Sequence, residues 1–107
     1  MNPIAPSEDA IWDALRCVVD PEIGLNLVDL GLIYSVRIDG PAVDILMTVT
    51  TPGCPMVHSL KQGVEYAVSG VPGVSEVFVT VVHDPPWNPS MMTAAGQRAA
   101  NILPVND

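Results

Sequence analysis

Residues 43–56 read VDILMTVTTPGCPM and join two segments whose apolar residues follow different periods. Upstream, residues 43–50 alternate apolar and polar side chains in the period of a half-buried strand. Downstream, apolar residues recur at helical spacing from 57 to 68. The stretch therefore predicts a strand, a turn rich in helix breakers, and a helix that starts at the turn.

The segments on either side of this stretch extend the same kind of pattern in both directions. Ser7 is a candidate N-cap, Gly70 is a candidate C′ glycine, and Ser90 is a candidate cap for a last helix. The predicted elements, in chain order, are a helix from Ser7 to about 19, a loop over 20–31 with a short helical turn at 27–30, strands over 32–38 and 43–50, a helix from Pro55 to Ser69, a strand over 74–82, an irregular segment over 83–89 and a helix over 91–101.

The order α-β-β-α-β-α predicts a small two-layer α+β fold with the helices on one face of a three-stranded, mixed sheet. The first two strands are joined by Asp39-Gly40-Pro41 and are predicted to pair as an antiparallel hairpin. A chain of 107 residues can bury roughly two-thirds of its unfolded surface. We therefore expect a single domain over 1–107, with its core over about 7–100.

Composition narrows the classes of function. A hydrophobic content of 49% with 15% charged residues indicates a folded protein. The net charge of −8 argues against nucleic acid and anionic membranes as partners. With two cysteines, no basic leader and no apolar stretch of membrane-spanning length, we expect a cytoplasmic protein with free thiols.

Cys54 lies in the turn of the opening stretch, between Pro52-Gly53 and Pro55. A thiol at the start of a helix meets unpaired N–H groups and the positive end of the helix dipole, which favour the thiolate. Thiolates attack electrophiles and bind soft metals. The alternative is a buried, inert cysteine in an ordinary turn. No hydrolase elbow, P-loop, dinucleotide fingerprint or zinc-protease motif accompanies it.

Two carboxylates, Asp20 and Glu22, flank Pro21 on the predicted loop after the first helix. They could act as a general base, as metal ligands, or as acceptors for a neighbouring turn. The alternative is a helix stop with solvated acids, and Asp29 could be a turn residue in the same way.

The remaining candidate ligands give weaker patterns. His58 follows Cys54 by four residues, a spacing that places both on one side of a helix and makes His58 a weak candidate metal ligand. His83 is predicted to end the third strand. Cys17 has apolar neighbours, so we expect core packing for it and an exposed helical position for His58. The sequence leaves open whether Trp87 closes an edge of the core or presents an aromatic surface to a partner.

Three segments taken together resemble the successive signatures of the metal–sulfur (iron–sulfur) cluster assembly factors, the SufT- and PaaD-like proteins. They are residues 20–34 (DPEIGLNLVDLGLIY), 50–56 (TTPGCPM) and 84–91 (DPPWNPSM). The resemblance extends over about 8–100. It implies a compact α+β domain of αββαβ topology that assists the maturation of iron–sulfur proteins.

The resemblance also implies which residues form the functional surface. Cys54 matches the family's motif cysteine and Asp20 its motif acid, with Glu22, Thr51, Gly53 and Trp87 as supporting neighbours. The chain has no cysteine after Cys54, so it lacks the cysteine-rich C-terminal segment of some PaaD-like members. A role in phenylacetate degradation is therefore not indicated.

An iron–sulfur cluster usually takes four protein ligands, and one chain offers a single well-placed cysteine. We therefore expect iron or a transient cluster to be shared through Cys54, either across a homodimer or with a client apoprotein or another assembly factor. This predicts a carrier, with no catalytic residue assigned. The alternatives are a thiol redox enzyme or sensor that oxidises Cys54, and a metal-free adaptor for client proteins.

Overall fold

The computed structural model describes residues 6–50 and 55–102. The elements are α1 (Glu8–Leu15), β1 (Ile33–Asp39), β2 (Ala42–Met47), α2 (Val57–Ser69), β3 (Glu76–Val81) and α3 (Ala94–Ile102), with a 3-10 turn at Pro89–Met91 between β3 and α3. This is the predicted order of elements.

The three strands form one mixed sheet in the order β1-β2-β3. β1 and β2 are antiparallel, with Asp39 opposite Ala42 at the hairpin turn. β2 and β3 are parallel, in a register that runs from Ala42–Glu76 to Met47–Val81, so the chain crosses between them through α2. The α+β prediction is confirmed.

One face of the sheet packs against α1 and α2, and its residues share one core with theirs. Val43, Ile45 and Met47 on β2 are buried in this core. On α2 the predicted apolar face is buried at Leu60, Val64 and Val68, and on α1 at Ile11 and Leu15. The opposite face presents a row of exposed residues, one from each strand: Arg37, Asp44 and Phe78. None of the helices in the described part of the chain is long and apolar enough to cross a membrane.

The first helix is shorter than predicted. Ser7 caps it as expected, since its Oγ accepts from Ala10 N at 3.4 Å, but α1 ends at Leu15. Val18 and Val19, predicted to continue the helix, belong instead to the next loop: the Val18 carbonyl accepts from Leu27 N at 2.9 Å, and Val19 forms an isolated bridge with Asn26. These contacts of Val18 and Val19 with Leu27 and Asn26 take the place of the hydrogen bonds that would continue α1.

Other boundaries also differ from the prediction. β2 ends at Met47, although the alternation of the sequence continues to Thr50. α2 begins at Val57, and Pro55 lies in a turn before it. α2 ends at Ser69 and Gly70 as predicted, but Gly70 is the C-cap with φ −80° and not the C′ glycine.

The C-terminal segment is divided where one helix was predicted. Asn88, not Ser90, caps the 3-10 turn, and its Oδ1 accepts from Ser90 N at 2.9 Å. Thr93 then caps α3, because its Oγ1 accepts from Gly96 N at 3.0 Å. Because Asn88 and Thr93 each cap a separate element, the segment forms a 3-10 turn followed by α3 in place of one helix.

Candidate functional site

The candidate site lies where β2 and β3 end. Because the two strands are parallel, their C-terminal ends meet at the same edge of the sheet, and Val82 N donates to Met47 O across it at 2.8 Å. After β2 the chain runs through residues 48–50 into residues 51–56, here called the cysteine turn because a turn is predicted around Cys54, while β3 continues into His83. Thr51, Gly53 and Cys54 themselves lie outside the described residues.

A small cavity occupies this edge. It has a volume of about 40 Å³ and is lined by Thr48, Val49, Thr50, His83, Pro86 and Trp87. Thr48 is 1% exposed, and its Oγ1 has no hydrogen-bond partner among the described residues. The sequence predicted a strand end at His83, but the cavity forms only because β3 lies beside β2, a long-range pairing that local patterns do not specify.

Trp87 closes the edge of the core, the first of the two roles that its sequence left open. The ring is half-buried against core residues, and its Nε1 donates to Leu30 O at 2.6 Å. Nearby, Tyr34 Oη donates to Pro85 O at 2.7 Å. These two bonds fix the segment after β3 to the loop that precedes β1.

We expect Trp87→Phe to lower the free energy of unfolding by about 1 kcal/mol, because Leu30 O loses its partner in a partly buried place. Trp12→Phe is the matched control: the indole of Trp12 donates to Glu8, an exposed side chain, at 3.2 Å. Urea denaturation of both variants measures the difference. Equal losses would contradict this role for Trp87.

Asp20 and Glu22 differ in environment. Asp20 is 5% exposed, and its Oδ1 accepts from Glu22 N at 2.9 Å and from Ile23 N at 3.3 Å. Glu22 is exposed. Asp20 is therefore not a solvated acid: its carboxylate holds the turn after Val19 by accepting backbone N–H groups, and the role of Glu22 stays a prediction.

We expect Asp20→Ala to cost about 2 kcal/mol of unfolding free energy, because Glu22 N loses its carboxylate acceptor in a partly buried turn, while Ile23 N keeps its bond to the Asp20 carbonyl. Asp20→Asn keeps an oxygen acceptor and should retain most of the stability. Glu22→Ala, at an exposed position, is the control and should change little. Thermal unfolding of the three variants tests the order, and an Asp20→Ala variant as stable as Glu22→Ala would contradict it.

A polar cluster that the sequence did not reveal joins the same loop to the C-terminal segment. Asp29 Oδ1 accepts from Thr93 Oγ1 at 2.9 Å, and Asp29 Oδ2 accepts from Asn26 Nδ2 at 2.8 Å. The Asp29 carbonyl also accepts from Thr93 N at 3.0 Å. Gly96 fits against this carbonyl, which a Cβ would overlap. Asp29 is thus a turn residue, as one alternative held, and also a long-range anchor.

Cys17 is exposed, so the prediction of core packing is wrong. The reason is the early end of α1, which leaves Cys17 on the turn beyond the helix. Its Sγ lies 3.7 Å from Asp13 O. Together with Val19 and Tyr66, Cys17 lines an open groove of about 510 Å³ between α1 and α2.

His58 is exposed on the first turn of α2, as predicted. α2 begins at Val57, and Cys54 lies outside the described residues, so the structure gives no support to the shared helical face that the Cys54–His58 spacing assumed. Among residues 6–50 and 55–102, no three His, Cys, Asp or Glu side chains are grouped so that they could hold a metal ion. A metal ligand role for His58 remains a prediction without support from this geometry.

The chain matches one known protein family over most of its length. The family model described as iron-sulfur cluster assembly protein matches residues 8–81, a span that includes both the Asp20 loop and the cysteine turn. The chain belongs to this family.

Curated relatives agree with that membership. The Fe-S protein maturation auxiliary factor SufT of Staphylococcus aureus is 35% identical over 79% of this chain and 98% of its own. The iron-sulfur cluster carrier protein of Synechocystis is 39% identical over 78% of this chain but only 24% of its own, so there the assembly-type region is part of a longer protein. The resemblance to SufT-like assembly factors is confirmed.

A solved member shows that the fold is shared as well. A crystallised domain of unknown function from Bacillus anthracis is 38% identical to this chain, covers 89% of it and 92% of itself, and superposes with a TM-score of 0.85. At this identity and coverage, the two proteins share the same fold.

Proposed function

We propose that this protein assists the maturation of iron–sulfur proteins by holding iron or an iron–sulfur cluster transiently and passing it to a client. The observation that carries the proposal is the family match over 8–81, which includes Cys54 and Asp20. The named relatives support it, since one is a maturation auxiliary factor and another a cluster carrier.

Cys54 is the proposed protein ligand or transfer thiol. The chain has two cysteines, and Cys17 lies on the turn after α1, whereas Cys54 follows β2. Clusters usually take four ligands, mostly thiolates. One chain therefore leaves positions open for a second copy of Cys54, for a client's cysteines or for a small thiol. Open positions make the cargo exchangeable, which suits a carrier.

Asp20 and Trp87 both hold the loop between α1 and β1 by hydrogen bonds to its backbone, while Glu22 on the same loop is exposed. We propose that this loop forms part of the surface that meets another protein. The proposed partners are client apoproteins or other assembly factors in the cytoplasm. Thr51 and Gly53 belong to the same proposed surface because they flank the thiol in the sequence.

Cargo transfer tests the proposal. The wild-type protein is loaded anaerobically with ferric iron and sulfide, desalted, and mixed with an apo-ferredoxin whose oxidised cluster is followed by its visible spectrum. We expect cluster formation faster than with equal amounts of free iron and sulfide, and slower trapping of the iron by a chelator. A protein that takes up no iron, or that does not accelerate transfer, would contradict a carrier function.

The thiol redox alternative gains one observation, the exposure of Cys17, because a resolving thiol must be accessible. Its signature is rapid formation of a sulfenic acid at Cys54 with peroxide, followed by a disulfide to Cys17, in a protein that binds no iron. Mass spectrometry of the peroxide-treated protein distinguishes this outcome from the carrier.

A further inference from the structure

The hydroxyl of Thr48 is unfavourable for the free protein. Thr48 is buried between core residues Met47 and Val49, and its Oγ1 has no partner among the described residues. A buried hydroxyl without a hydrogen bond keeps its full desolvation penalty. Valine has the same shape without that penalty, so packing alone does not account for a threonine here.

The cavity that Thr48 lines has the character of a site for a small hydrogen-bond acceptor. Its lining residues include Thr48, Thr50 and His83, whose side chains can all donate hydrogen bonds. None of its lining residues is acidic, although the chain carries a net charge of −8. A volume of about 40 Å³ admits only a ligand of one or a few atoms.

The position of the cavity suggests what the acceptor is. Thr50 is the last described residue before the cysteine turn, and Cys54 follows it by four residues. Sulfide and thiolate sulfurs accept hydrogen bonds, and such bonds tune the properties of iron–sulfur clusters. A sulfur atom of iron-bound cargo is small enough for this cavity and is the acceptor that the proposed function brings to this edge of the sheet.

We propose that the Thr48–Thr50–His83 cavity is a sulfur-binding subsite, in which the Thr48 hydroxyl donates a hydrogen bond to a sulfide or thiolate sulfur of the iron-bearing cargo. This inference rests on the proposed carrier function. Thr48 then contacts the cargo's sulfur directly and leaves the iron to Cys54 and the other ligands.

The variant Thr48→Val separates this role from a structural one. In the free protein we expect the unfolding equilibrium constant to fall by up to about tenfold, because the unpaired hydroxyl is removed. After anaerobic loading with ferric iron and sulfide, we expect a chelator to remove the iron several-fold faster than from wild type, with a shifted sulfur-to-iron absorption band. Thr80→Val, at an exposed position on β3, is the matched control and should change neither property.

The outcomes are distinguishable. A Thr48→Val protein that holds its iron as long as wild type, with the same spectrum, overturns the subsite. A Thr48→Val protein whose free form is no more stable than wild type overturns it as well, because the Thr48 hydroxyl then has a partner such as a structural water. In either case the carrier function still holds if the wild-type protein takes up iron and the Cys54→Ser variant does not. Wild-type protein that takes up no iron overturns both proposals.

Discussion

Replacing Cys54 by serine is expected to abolish the retention of iron and sulfide, the largest functional effect predicted for this chain. A serine hydroxyl stays protonated at neutral pH and is a hard donor, whereas iron–sulfur clusters are held mainly by thiolates. Iron and sulfide per chain after anaerobic loading and desalting, together with the visible spectrum, measure the effect.

Cys17→Ser is the matched control for this experiment, because it makes the same chemical change at an exposed thiol on the turn after α1. It should load as wild type does. A second readout follows because one chain supplies only one of the ligands of the cargo. Loaded wild-type protein should elute as a dimer or carry bound small thiol, and Cys54→Ser should do neither. A Cys54→Ser protein that keeps its iron and sulfide would end the assignment of Cys54 as the ligand.

Replacing Gly31 by alanine should give the largest loss of stability, about 3 kcal/mol. Gly31 has φ +76°, where an L residue pays roughly 1 kcal/mol or more, and a Cβ there would overlap the backbone carbonyl of Met91. Backbone cannot turn away as a flexible side chain does, so relieving the overlap adds about 2 kcal/mol. The overlap would push the 3-10 turn away from the loop that precedes β1.

Gly24→Ala isolates the backbone part of that cost. Gly24 has φ +83°, close to that of Gly31, but a Cβ there meets nothing within 4 Å. Chemical denaturation of both variants should therefore show a loss of about 1 kcal/mol for Gly24→Ala and about three times as much for Gly31→Ala. Similar losses would mean that the Met91 segment moves at little cost and does not clamp the loop.

The elements were predictable where local pattern and packing agree. Alternation over 43–50 gave β2, because one face of that strand is buried, and helical spacing from 57 gave α2 for the same reason. The end of α1 was not predictable, since Val18 and Val19 continue its apolar spacing, while the bonds that remove them come from Asn26 and Leu27. The wrong burial of Cys17 follows from that error.

The candidate site was predictable in its motifs and not in its neighbourhood. Asp20 was singled out by sequence, but its burial depends on the folding of its loop, and the cavity at Thr48 and His83 depends on the pairing of β2 with β3. Periodicity places a residue on an element but does not show which other element lies beside it. The roles of Cys54, Thr51 and Gly53 remain predictions for the experiments above.

The parallel pairing of β2 with β3 has a consequence for folding kinetics. β1 and β2 meet across a tight turn, so their hairpin closes a short loop, whereas the pairing of β3 with β2 closes a much longer loop that contains α2 and the segment carrying Cys54. Closing the longer loop costs more chain entropy, so we expect β3 to pair with β2 after the hairpin has formed. The segment that serves the cargo therefore lies within the loop that we expect to close more slowly.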